Sequence, residues 1–222
     1  MLVIPNILNE EEILGVTEFL EGAKFIDGKL TAGELIRHRK HNLQLHQDSE
    51  GINFLSQLML EALKKNILFQ SWVMPLRYSD FIFARYTEGM KYGCHVDSSY
   101  VISDQPMRRD ISATLFLSDP DTYEGGELSI QGDTEMHKFK PAAGSLVVYP
   151  TQALHEVCEI TSGTRLVSVF WAQSVIQDPL IRRTLFDLEV ASSNLAAKSP
   201  DSPEVLLLQK SSANLKRYFA SI

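Results

Sequence analysis

The sequence predicts a mainly β protein with flanking α-helices, its strands arranged as an antiparallel double sheet of jelly-roll type. Three observations carry that expectation. Between residues 81 and 173, short segments rich in β-branched and aromatic residues follow one another: FIFARY (81–86), ISATLFL (111–117), GELSI (126–130), MHKFK (136–140), GSLVVYP (144–150), ALHEVCEI (153–160) and TRLVSVFWAQ (164–173). The stretches DPDTYEGG, QGDTE, PAAG and TSG that separate them have turn compositions. Helical periodicity is confined to the two ends of the chain, and many short strands with no helix between them suit a double antiparallel sheet.

Taken in order, the first element is a helix. Asn9 followed by Glu12 is a capping-box pattern, and Ile13, Val16, Phe19 and Leu20 recur at helical spacing behind it. A second helix is expected from about Gly51 to Leu68, with Ile52, Leu55, Met59 and Leu63 on one side. Within the β region, Tyr123-Glu-Gly-Gly126 reads as a turn whose glycines take unusual dihedrals. Helical signals return from Pro179 to Val190, residues 192–202 read as a loop, and Ser202-Pro203-Glu204 opens a last helix with a capping serine, a first-turn proline and an acidic residue at the positive end. The expected division is an N-terminal helical support region (1–75), a β-domain (76–177) and a C-terminal helical region (178–222).

Composition narrows the function. Of 222 residues, 44% are apolar and 22% charged, ordinary values for a globular domain. A formal net charge of −7 argues against nucleic acid as the main partner, because that affinity comes chiefly from clustered Lys and Arg. The short basic run Arg37-His-Arg-Lys-His41 reads as solvated surface. No apolar run approaches the ~20 residues that span a bilayer, and MLVIPNILNEEE lacks the basic and apolar regions of a signal peptide. A soluble cytoplasmic protein with no membrane partner is expected, and no feature specifies an oligomeric state. The two cysteines, Cys94 and Cys158, fit a reducing compartment and read as packing residues.

Chemistry concentrates at YGCHVDS (92–98). On an extended segment alternate side chains share a face, so His95 and Asp97 point one way and Val96 the other. His155, in the half-buried pattern of ALHEVCEI, is the candidate third ligand. Two histidines and a carboxylate form the facial set of non-haem Fe(II) oxygenases, which leaves coordination positions open. The same set can also hold zinc with a bound water, so a zinc-dependent hydrolase is an alternative, as is a non-catalytic jelly-roll binding module. Arg165 opens an apolar strand, where its guanidinium faces either solvent or a buried anion. With a hairpin loop of three or five residues, alternation puts Arg165 on the face of His155; with four it turns away. Same-face placement sets the two about 13 Å apart along the sheet, a gap that a long side chain and a five-carbon diacid can span.

At these residues the chain resembles the Fe(II)- and 2-oxoglutarate-dependent dioxygenases, whose His-x-Asp, distant His and following Arg fall here on His95, Asp97, His155 and Arg165. It is most similar to the bacterial PKHD-type hydroxylases of the prolyl and lysyl hydroxylase-like group. Thr31-Ala-Gly33 with Asn42-Leu-Gln-Leu45, DISATLFLSDP (110–120), YEGGEL (123–128), AGSLVVYP (143–150), LHEV (154–157) and FWAQS (170–174) occur in the family's order, so the likeness covers most of the chain. Ser98, where asparagine is expected, and the C-terminal ANLKRYF depart from the pattern.

The resemblance implies a double-stranded β-helix, Fe(II) on His95, Asp97 and His155, and 2-oxoglutarate paired through its far carboxylate with Arg165. It implies that 2-oxoglutarate and dioxygen are consumed as an unidentified peptidyl or free amino acid side chain is hydroxylated, with succinate released. L-Ascorbate would keep the iron ferrous. Tyr86, nine residues before His95 like a co-substrate-binding tyrosine of related prolyl hydroxylases, is a second candidate contact to 2-oxoglutarate, its bland alternative being a core aromatic. Arg108 and Asp110 read as a local salt bridge or as a substrate mouth. His38, His41, His46 and His137 receive no metal role, although Asp48 lies near His46.

Overall fold

Alternation along the central strands decides the architecture. The computed structural model describes residues 1–31, 33–46, 51–101 and 105–221. The chain begins with β1 (Leu2–Ile4), α1 (Glu10–Gly22), β2 (Phe25–Asp27), β3 (Lys40–His41), β4 (Leu43–Leu45), α2 (Ile52–Lys65) and α3 (Ile67–Val73). It continues through β5 (Pro75–Tyr78), β6 (Ile82–Tyr86), β7 (Lys91–His95), β8 (Tyr100–Val101), β9 (Met107–Arg108), β10 (Ile111–Phe116), β11 (Tyr123–Gly125), β12 (Leu128–Gln131) and β13 (Met136–Phe139). It ends with β14 (Leu146–Pro150), β15 (His155–Val157), β16 (Ile160–Gly163), β17 (Arg165–Ser174), α4 (Pro179–Lys198) and α5 (Pro203–Phe219).

A major sheet runs β1-β14-β10-β17-β6-β4-β2, with β5 also paired to β17, and a minor sheet runs β13-β12-β15-β7-β3. The expected mainly β jelly roll with flanking helices is what forms. Every residue of β10 is buried, because the strand has apolar neighbours on both faces. Ile111, Ala113 and Leu115 of β10, Leu146 and Val148 of β14, and Leu166 and Phe170 of β17 join the core that α1 to α3 cover. The intervening Phe116, Val147, Tyr149 and Val167 face inward, where they meet Leu128, Ile130 and Val157 of the minor sheet. Burying each large apolar side chain contributes roughly 1.5–3 kcal/mol. The outer core fixes the major sheet, and the inner one defines the space between the sheets.

The helices follow their caps. Asn9 and Glu12 form the expected reciprocal capping box at α1. The single helix expected from 51 to 68 is instead two: α2 stops at Lys65, and the Asn66 side chain accepts from the Phe69 amide to start α3. The loop expected at 192–202 is largely helix, since α4 continues to Lys198 through residues with no breaker before Pro200. Ser202 caps α5 as its sequence signal indicates. Among the described residues, no helix is long and apolar enough to cross a membrane.

Two strand expectations need correction. The first 75 residues, read as a helical support, also supply β1 to β4, which are only two or three residues long and too short for a periodic signal. TSG (161–163), read as a turn, lies in β16, which pairs with β11. Strands β15 and β17 therefore form no hairpin; they belong to different sheets, and the loop-length argument for Arg165 does not apply. The side chain reaches the interior by another route, because Arg165 is in register with Tyr86 of β6 and two residues from inward-facing Val167.

Candidate active site

Strands β7 and β15 are neighbours, with His95 opposite His155. A register shift sets Tyr92 opposite Val157, so three steps on β7 match two on β15. This bulge turns both Tyr92 and His95 inward, and their rings stack with centroids 3.7 Å apart. Asp97 follows just beyond β7, while Val96 between them is 47% exposed. The alternation expected across His95 and Asp97 thus survives past the end of the strand.

Both imidazoles are oriented from behind. His95 Nδ1 lies 2.9 Å from the Gly93 carbonyl and His155 Nδ1 3.1 Å from the Ala153 carbonyl. With Nδ1 donating, each Nε2 presents its lone pair to the centre. His95 Nε2 stands 3.7 Å from Asp97 Oδ1, and His155 Nε2 stands 3.6 Å from Asp97 Oδ2. The three donor atoms lie within 4.8 Å of one another, the one such gathering of His, Cys, Asp or Glu among the described residues. Burial holds His155 below the usual imidazole range despite the pull of Asp97, which favours the neutral, ligating form.

Asp97 is held from the major sheet. Its Oδ2 accepts from Ser112 Oγ at 2.8 Å and from Trp171 Nε1 at 2.9 Å. Burial pushes this carboxyl up, but the neighbouring imidazoles of His95 and His155 and the bonds from Trp171 and Ser112 hold it well below the ordinary carboxylate range. Oδ1 accepts from neither Ser112 nor Trp171 and can serve a metal. Two imidazole nitrogens and one anionic oxygen, converging with no fourth His, Cys, Asp or Glu donor among the described residues, fit the two-histidine, one-carboxylate set of Fe(II).

The interior between the sheets also carries Arg165, 1% exposed, between the rings of Tyr86 and Phe116 at 5.2 and 4.9 Å. Its Nε, Nη1 and Nη2 are all buried without a hydrogen-bond partner. The Tyr123 hydroxyl lies beside the guanidinium, also buried and outside bonding geometry. Tyr149, edge-on to His155 with centroids 5.0 Å apart, is also close to Arg165. A guanidinium stripped of water and left unpaired is costly, so the site suits a carboxylate that its fork can bind. Gly126 lets the chain close over it: at φ +67°, its Cβ would meet Ile160 Cδ1 at 2.3 Å and Arg165 Cδ at 3.0 Å.

Arg108 and Asp110 are an ion pair, at 2.7 and 3.0 Å, and Asp110 Oδ2 also accepts from the Ser174 amide. They also border a cavity of about 350 Å³ that reaches Asp97. Ser98 accepts from Arg109, whose guanidinium covers Trp171 at 3.8 Å. Cys94 and Cys158 are free thiols. His38, His41 and His137 are exposed, and Asp48, noted beside His46, lies outside the described residues. Sequence reading missed Ser112, Trp171, Tyr123 and Tyr149. The available signal was small hydroxyls in the otherwise apolar β10 and a tryptophan six residues after Arg165 on the same face.

Two packed antiparallel sheets with a two-histidine, one-carboxylate cluster and a lone buried guanidinium between them define the jelly-roll metal oxygenases. The family model described as the 2OG-Fe(II) oxygenase superfamily matches residues 81–173. A PKHD-type hydroxylase of Picosynechococcus sp. is 42% identical and covers 98% of both chains. Among solved structures, a Pseudomonas putida prolyl-4-hydroxylase has the same fold (TM-score 0.53, 19% identity, 78% of this chain and 91% of that one). So does HygX from Streptomyces hygroscopicus, solved with nickel and 2-oxoglutarate (TM-score 0.52, 16% identity, 79% and 84%). The chain belongs to the PKHD-type hydroxylases of the 2OG-Fe(II) oxygenase superfamily. It is an oxidoreductase of the Fe(II)- and 2-oxoglutarate-dependent kind, in a family of hydroxylases and not hydrolases.

Proposed function

We propose that His95, Asp97 and His155 hold the Fe(II), that Arg165 and Tyr86 receive the far carboxylate of 2-oxoglutarate, and that a peptidyl or free amino acid side chain is hydroxylated, in the cytoplasm. All five residues lie within 76–177, proposed as the catalytic unit, with 1–75 and 178–222 as its supports. The observation that carries this reading is the buried guanidinium of Arg165, with no partner for any of its three nitrogens, in the same interior as a cluster of metal-ligating atoms. When bound, Fe(II) with 2-oxoglutarate and dioxygen supplies oxidation of a substrate C–H bond, with succinate and carbon dioxide as co-products.

The chain's own residues do the rest. Gly93 and Ala153 carbonyls hold each Nδ1 proton and so keep both Nε2 atoms unprotonated toward the metal position. Ser112 and Trp171 keep Asp97 ionised and fix which oxygen turns inward. Phe116, Tyr86 and Tyr149 exclude water around Arg165, which strengthens its attraction for a carboxylate. L-Ascorbate, in this reading, keeps the iron ferrous between turnovers. The test is Fe(II)-dependent release of succinate from 2-oxoglutarate, stimulated by a candidate substrate and abolished in His95→Ala. Zinc-supported turnover indifferent to 2-oxoglutarate would overturn it.

A further inference from the structure

Lys40 is a buried ammonium that the reading above does not use. It lies on β3 at the edge of the minor sheet, in register with Tyr92 of β7, and is 6% exposed. Its Nζ stands 5.3 Å from the centroid of the Tyr92 ring, the ring stacked on His95. Lys40, Asn42 and Gln44 are all buried while His41 is exposed, so these alternate positions face inward where the chain passes from minor to major sheet. Nζ donates to Thr31 Oγ1 at 2.9 Å, and that hydroxyl donates to Gln44 Oε1 at 2.7 Å. Thr31, the partner of the ammonium, is itself exposed.

Among the described residues, no carboxylate lies within ion-pair distance of this nitrogen. Asp97 and Asp27 act on it only from farther away, and burial brings its pKa down to about 8, so it is still mostly protonated at neutral pH. A hydroxyl oxygen engages one of its three N–H bonds and leaves its charge uncompensated. 2-Oxoglutarate has two carboxylates, and the preceding reading, on which this inference rests, gives one to the metal and the other to Arg165. A single cation with two carboxylates in its surroundings suits one negative charge and disfavours a phosphate dianion.

We propose that Lys40 Nζ, with the N–H bonds that Thr31 leaves free, is a carboxylate-binding subsite for the primary substrate, one aromatic ring removed from the metal ligand His95. The substrate is then a small acid with a free carboxylate, such as a free amino acid, and not an internal residue of a peptide.

The test is an oxygen-free calorimetric titration of the full chain, loaded with Mn(II) and 2-oxoglutarate, using the free L-amino acids and their carboxamides as matched probes. At least one acid binds about tenfold more tightly than its amide, as expected for a charge-assisted contact. Lys40→Met removes that preference and leaves 2-oxoglutarate affinity unchanged. Its thermal midpoint without acid is equal to or above that of wild type, because an unpaired buried charge is gone; a structural lysine would show a drop. Acids and amides that bind alike or not at all, a preference that persists in Lys40→Met, or 2-oxoglutarate affinity that falls with it, overturn the subsite. Failure of Mn(II) or 2-oxoglutarate to bind wild type is a separate result that overturns the metal and co-substrate reading, and the subsite with it.

Discussion

Two regions of the interior, around Asp97 and around Arg165, bury opposite charges and treat them differently. Asp97 has a hydroxyl and an indole N–H on one oxygen and two imidazoles around it. Arg165 has three buried nitrogens and no partner. The metal end is a finished frame: strand register places the histidines and side chains from the opposite sheet hold the carboxylate. On the proposed reading the Arg165 end is completed only by a ligand, and without one it carries a desolvated charge. On that reading, binding specificity for a diacid and a cost in apo stability come from the same arrangement.

Breaking the frame has the largest effect. Asp97→Ala lowers Fe(II)-dependent succinate formation by well over ~100-fold, since losing even an outer partner of a metal ligand costs ~10–100-fold. A variant retaining a tenth of wild-type turnover would move the metal elsewhere. Next comes the other end. Arg165→Met weakens 2-oxoglutarate by ~100-fold, from about 3 kcal/mol of charge-assisted hydrogen bonding, and leaves Mn(II) affinity intact when each is titrated separately. Equal losses of both would erase the distinction between the ends.

Trp171→Phe probes the link between the sheets. It keeps the ring and removes the donor to Asp97 Oδ2, so metal affinity falls ~10-fold, with a smaller change for 2-oxoglutarate; the reverse order would show that Trp171 belongs to the anion end. The smallest effect lies outside both. Asn9→Ala removes the capping box of α1 and costs about 1 kcal/mol in denaturant unfolding, while both ligand affinities stay at wild-type values. A change in either affinity would mean that the helical layer tunes the site.

Much of this arrangement is legible in the residues. The strands from 81 to 173 announce themselves by composition because those on the central sheet are buried on both faces, and Asn9, Ser202 and Pro203 mark helix starts through local chemistry that tertiary contacts do not override. His95, Asp97, His155 and Arg165 stand out as a spaced set, and the structure brings the three candidate ligands together, with Arg165 in the same interior. What stayed hidden depends on long-range pairing. TSG (161–163) looks like a turn until β11 is beside it, and β2, β3 and β4 are too short to show a period. Lys40 sits in a run of five charged or ionisable residues that reads as surface, and only its pairing with Tyr92 turns it inward. Trp171 looks like core until Asp97 arrives from 74 residues away to accept its N–H.

The most direct test is a crystal structure of the protein grown without oxygen in Mn(II) and 2-oxoglutarate. The account predicts the metal on His95 Nε2, Asp97 Oδ1 and His155 Nε2, with the distal carboxylate of 2-oxoglutarate against the guanidinium of Arg165. A metal bound by other side chains, or a co-substrate carboxylate that leaves Arg165 unpaired, would contradict it.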